Sequence, residues 1–164
     1  MKILKELLPY IIILLLVILV RTFIVSPAKV NGGSMLPTLY NGDVLLVKKY
    51  DTSYERFDIV VVKYGKERII KRIIGLPGET IFYKNNNLFI NGKKIDLKNY
   101  KFKTRDFDLA EIGYSKIPKD CYFVLGDNRY NSKDSRYIGT INKKDIIGIA
   151  DYRVWPFSTF GHVN

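Results

Sequence analysis

From Leu7 to Val20 the chain carries no charged side chain, and the apolar pattern resumes after Arg21 and Thr22 with Phe23, Ile24 and Val25. A run over 7–25 makes about 28 Å of α-helix, close to the ~30 Å hydrocarbon core of a bilayer. Arg21 falls near the far end, where its stem lets the charge reach the headgroups. The pattern predicts a transmembrane anchor over 7–25, a short cytoplasmic N-terminus over 1–6 bearing Lys2 and Lys5, and an extracytoplasmic domain over 26–164. The charge-free stretch of 14 residues is also the length of a secretory apolar region, and Ser26, Pro27 and Ala28 supply the small residues of a cleavage site. A cleaved leader is therefore the alternative.

Beyond Pro27 the period shortens to two. Runs rich in β-branched and aromatic residues at 43–49, 58–63, 68–74, 80–84, 87–91, 121–125 and 145–154, separated by Gly, Asn and Asp, predict strands. The stretch TIFYKNNNLFING at 80–92 reads as a hairpin, because Asn tolerates the positive φ of a tight turn, and Asn91-Gly92 offers a second turn. Residues 96–117 mix charges with scattered aromatics and read as an extended excursion or insertion of no assignable function. The expected fold is mainly β, one domain behind one N-terminal transmembrane helix.

Composition changes this picture in two places. Lys and Arg exceed Asp and Glu by 27 to 16, a net charge of +11, which suits a polyanion such as nucleic acid or an anionic lipid surface. The apolar N-terminus points to the lipid bilayer, and no nucleic-acid partner is expected. The single cysteine, Cys121, excludes an intrachain disulfide and reads as a buried free thiol within the apolar run 121–125.

Candidate chemistry is narrowed by what the chain lacks. His162 is the only histidine and lies three residues from the C-terminus, so a Ser-His-Asp or Cys-His mechanism would hang on a frayed tail. One His and one Cys make no zinc cluster, and GDNRYNSKDSR at 126–136 lacks the Gly and closing Glu of a calcium loop. No phosphate-binding glycine motif is present, so neither metal nor organic cofactor is expected. A serine between glycines and a lysine among isoleucines remain. A neutral lysine amine serves as base to a serine hydroxyl where histidine is absent. At a reference pKa of about 10.4 only a few parts in ten thousand of an exposed lysine are neutral at pH 7, so burial must lower it. On a strand over 68–74, Ile69, Lys71 and Ile73 share one face while Arg72 points the other way. Spacing by itself leaves open that Ser34 is a turn residue and Lys71 a solvated strand lysine.

Four stretches in order bear on that choice. Ser34-Met35-Leu36-Pro37-Thr38 resembles the nucleophile box of the bacterial type I signal peptidases, and Gly42-Asp43-Val44 resembles the turn and strand after it. The stretch from Lys71 to Glu79, KRIIGLPGE, resembles the lysine box, and GDNRYNSKDSR at 126–136 resembles the final acidic and serine-rich box. The resemblance covers nearly the whole chain, in its short Gram-positive form.

It implies a mainly β, partly barrel-like fold and a membrane-anchored serine endopeptidase that cuts signal peptides from exported preproteins after small residues at −1 and −3. It implies single-pass residence in the plasma membrane and contact with the export machinery. Ser34 would be the nucleophile, Lys71 the general base, and Ser132 the residue that hydrogen-bonds and orients the Lys71 amine. Asp127, Asp134, Arg136 and Arg72 would form a structural charge network packing the last box against the lysine strand. By position, Pro27, Ala28, Val30, Met35, Leu39, Ile69 and Ile70 would line the substrate site. The chain departs at Gly32, where many relatives carry a serine whose hydroxyl helps bind the oxyanion. Trp155, Phe157 and Phe160 are interfacial or core candidates. Two rival functions are a specialised pilus or conjugation maturation peptidase and a non-catalytic, membrane-tethered basic β module.

Overall fold

The computed structural model describes residues 2–51, 53–97 and 102–163. Helix α1 (Lys2–Leu19) passes into a π turn over Val20–Ile24. The span Glu6–Ile24 has a mean hydropathy of 2.7 and none of its residues is buried. The helix ends one residue before the expected anchor boundary, because Val25 already pairs as the first residue of β1 (Val25–Lys29).

Among the described residues every strand pairing is antiparallel. The larger sheet is built from β1, β2 (Val44–Lys48), β3 (Ile59–Tyr64) and β4 (Glu67–Gly75), with β9 (Cys121–Leu125), β10 (Ile141–Asn142) and β11 (Ile146–Trp155). It runs in the order β1-β2-β11-β3-β4-β9-β10, and β12 (Gly161–His162) pairs with β11. β1 and β10 are its two ends, so the sheet stays open rather than closing into a barrel. The smaller sheet runs β7 (Lys93–Lys94), β6 (Asn87–Ile90), β5 (Ile81–Lys84), β8 (Phe107–Asp108).

Local chemistry explains the elements. β5 and β6 pair from Ile81↔Ile90 to Lys84↔Asn87, which leaves Asn85 and Asn86 as a two-residue turn with φ of 49° and 64°. The two sheets share a core in which Ile74, Phe123 and Leu125 of the larger meet Ile81, Tyr83, Leu88 and Ile90 of the smaller. Gly75 lies at that junction, where a Cβ would overlap the Ile81 and Ile117 side chains.

The excursion over 96–117 supplies more than the sequence suggested. Leu97, Phe107, Leu109 and Ile117 are buried in the shared core, and Phe107–Asp108 adds a strand to the smaller sheet; residues 98–101 lie outside the described residues. Cys121 is half-buried rather than buried, since it opens β9 at the rim of the sheet. His162 is held in β12 opposite Tyr152 rather than frayed, with ring centroids 4.8 Å apart. Trp155, Phe157 and Phe160 are exposed, not core.

Candidate active site

Ser34 sits on a turn whose ends are tied down. The Val30 N–H donates to Asp43 O, the Gly42 N–H to Val30 O, and the Gly32 N–H to Asn41 Oδ1 at 2.9 Å. Met35 and Leu39, both buried, plug the turn into the core beside Leu45, Val47 and Val61. The apolar residues of the nucleophile box thus act as anchors, leaving the serine half-exposed between them.

Lys71 comes from β4, paired opposite Val60, with Ile69 and Ile73 packed against Val60 and Val62. The side chain is 3% exposed. Its Nζ lies 2.8 Å from Ser34 Oγ and donates to Ile70 O at 3.0 Å. Burial pushes the amine below the usual lysine range, and the Asp134 and Asp127 carboxylates pull back only in part.

Arg72 points the opposite way, as the two-residue period requires, and is 1% exposed. Its Nε and Nη2 donate to Asp127 Oδ1 and Oδ2 at 2.9 and 2.7 Å, a two-pronged ion pair, while Nη1 donates to Phe57 O. Thr38 Oγ1 donates to the same Asp127 at 2.6 Å. Asn128 completes the clamp: its N–H donates to Ser34 O at 3.0 Å and its Nδ2 to Gly33 O at 3.1 Å.

The side-chain bonds of the four charged residues fall into two groups. Arg72 with Asp127 joins the 126–136 segment to the lysine strand. Asp134 and Arg136 instead fold that segment on itself, because they lie two residues apart across the N-terminus of the short helix α2 (Ser135–Ile138). Asp134 also accepts from the Gly126 N–H at 3.0 Å, and Arg136 Nη2 donates to Arg129 O at 2.6 Å. Ser132 Oγ is buried and makes no hydrogen bond, the Lys71 amine being engaged with Ser34 and Ile70. A Cβ at Gly126 would overlap both Ser132 Oγ and the Ser34 carbonyl oxygen, so this glycine is what lets the two serines close up.

A cleft of about 490 Å³ opens over Ser34 and Lys71, walled by Val30, Met35, Ile69 and Ile70. The other three wall candidates fall elsewhere. Leu39 is 0% exposed and is core. Pro27 lies in a second groove beside Leu16, Val17 and Val20, because the alternation along β1 turns it to the opposite side from Val30. Ala28 packs half-buried on the core that holds Met35 and Leu39. Thr38, Asn128 and Gly126 were not singled out from the sequence. A Thr four residues after the serine and the Asn beside Asp127 stood inside the quoted boxes, but nothing local says they bond each other's segments.

Residues 3–155 match the family described as signal peptidase, peptidase S26. The chain belongs to that family. It is similar to signal peptidase I P of Bacillus subtilis subsp. natto, 48% identical over 92% of this chain and 88% of the relative. Signal peptidase I of Bacillus caldolyticus is 45% identical over 93% and 91%, and signal peptidase IB of Staphylococcus aureus strain Mu50 is 39% identical over 96% and 94%. Among solved structures, a signal peptidase I from Enterococcus faecalis V583 superposes with a TM-score of 0.55 at 34% identity, covering 59% of this chain and 96% of that one.

Within this signal peptidase family member, the Gly32 departure has a local cause. A side chain there would meet nothing within 4 Å, yet the backbone φ is +84°, which a serine adopts only under strain. The β1 edge is also informative. Ile24 O and the Val30 N–H bond the β2 side, so by antiparallel alternation the main-chain groups of Val25, Pro27 and Lys29 face the free edge.

Proposed function

We propose that this chain is a membrane-anchored serine endopeptidase that removes signal peptides from exported preproteins after Ala-X-Ala by a Ser34–Lys71 dyad. The observation that carries this reading is the 2.8 Å approach of a buried lysine amine to a half-exposed serine hydroxyl at the floor of a cleft. Neutral Lys71 takes the Ser34 proton as Oγ attacks the scissile carbonyl, and returns it to the leaving amine as the acyl-enzyme forms. Water then attacks the ester with the same lysine as base. With glycine at 32, the developing oxyanion is met by main-chain donors, the Ser34 N–H first among them.

The preprotein lies extended along the free edge of β1 and adds a strand to it. Its small −1 and −3 side chains enter the wall formed by Val30, Met35, Ile69 and Ile70. Helix α1 holds this site at the outer surface of the plasma membrane, with the catalytic domain outside, where the apolar segment of a signal peptide ends. Ser132 orients the Lys71 amine in the substrate-bound state. The test is cleavage of a preprotein bearing Ala at −1 and −3 by the detergent-solubilised protein and by its Ser34→Ala and Lys71→Ala variants. Cutting by both variants at the full rate, or none by the unaltered protein, would refute the dyad.

A further inference from the structure

The cleft wall beside Ser34 and Lys71 is apolar, but the mouth is charged, and the charge is one-sided. Lys29, Arg68 and Lys133 line it with Glu67 as the single carboxylate, which leaves the rim two charges positive. All four are exposed and none makes an ion pair among the described residues. Lys133 Nζ instead lies 5.6 Å over the ring of Tyr64, another rim residue, which holds the ammonium beside the cleft.

An extended substrate alternates its side chains. If −1 and −3 enter the apolar wall, −2 points back toward the mouth, where these cations stand. We propose that the cleft selects preproteins with an acidic side chain at −2, read by Arg68 and Lys133 with Lys29 adding to the field. The inference rests on the endopeptidase reading above. The three cations attract an Asp or Glu there and repel a Lys, and since the rim is wet the preference is moderate and sensitive to salt.

The experiment uses the full chain in detergent and three otherwise identical peptides with Ala at −1 and −3 and Asp, Asn or Lys at −2. The expected order of kcat/KM at low salt is Asp over Asn over Lys, with about tenfold between the extremes, shrinking as salt is raised. In the double variant Arg68→Glu, Lys133→Glu the order inverts. Each comparison is a ratio within one enzyme, so lost folded protein cancels. Equal cleavage of all three peptides overturns the −2 preference while leaving the endopeptidase reading intact, and so does an order that neither salt nor charge reversal moves. Failure of all three to be cut overturns both.

Discussion

Lys71 Nζ and Ser34 Oγ stand 2.8 Å apart across 37 residues of sequence, and the lysine has almost no access to water. Burial favours the neutral amine, so hydrolysis should rise with pH through an apparent pKa below that of free lysine, about 10.4. A rate that climbs only near the free-lysine value would rule out the buried base. Either Ser34→Ala or Lys71→Ala should lower kcat by at least about 10³-fold, since each removes one half of the proposed dyad.

The same shift has a stability consequence of definite sign. A cation whose folded pKa is depressed binds more protons in the unfolded chain between its folded and unfolded values. Stability therefore increases as pH rises through that window, and below the folded pKa the buried charge is a net cost. Lys71→Met should abolish cleavage yet leave the protein at least as stable at neutral pH and flatten the pH dependence of its denaturant midpoint. A Met variant clearly less stable than the parent would contradict this.

Much of the fold was open to a reader of the sequence because it depends on period and turn chemistry. The strands over 43–49, 58–63, 68–74 and 121–125 carry their own signal, and the turn at Asn85 and Asn86 is local. The opposed directions of Lys71 and Arg72 follow from the two-residue repeat. What stayed hidden depends on contacts across the chain. Asn128 bonds the main chain of Gly33 and Ser34 from 95 and 94 positions away, and no window of sequence contains both ends of such a bond. The burial of Leu39 and the turn of Pro27 toward α1 were hidden for the same reason, since both depend on which face of β1 the helix and the core take.

Arg72 and Asp127 are buried, and each is the other's charge partner. Asp127→Ala removes the carboxylate that the Arg72 guanidinium grips with two bonds and the acceptor of Thr38, so it should cost about 3–5 kcal/mol. Asp127→Asn, which keeps acceptor capacity, should cost less. Unfolding of the detergent-solubilised chain followed by Trp155 fluorescence reads the difference. In a double-mutant cycle with Arg72→Ala the two losses should fall well short of additive.

Gly32→Ser asks whether the absent oxyanion hydroxyl can simply be put back. The +84° φ makes the serine pay about 1–2 kcal/mol of backbone strain, and relief of that strain moves the neighbouring Gly33-Ser34 backbone. The expected result is lower kcat with little change in KM. A variant faster than the parent would mean that the turn accommodates the new hydroxyl without shifting Ser34.

Gly126→Ala tests the packing that brings the last box onto Ser34, the proposed nucleophile. The added methyl has to displace both the Ser132 side chain and the Ser34 carbonyl, and the latter is the acceptor of the Asn128 N–H. Overpacking of this kind costs about 1–3 kcal/mol, but the larger effect should be on rate, because a shift of about 1 Å at a nucleophile costs on the order of 100-fold. The paired variant Gly126→Ala, Ser132→Gly removes the overlap with the Ser132 side chain, Oγ and Cβ alike, and leaves that with the Ser34 carbonyl. It should recover part of the lost stability while the rate stays low, since the methyl still presses on Ser34 and the hydroxyl proposed to orient Lys71 is gone. Full recovery of rate in the pair would show that Ser132, rather than the main chain of Ser34, had absorbed the displacement.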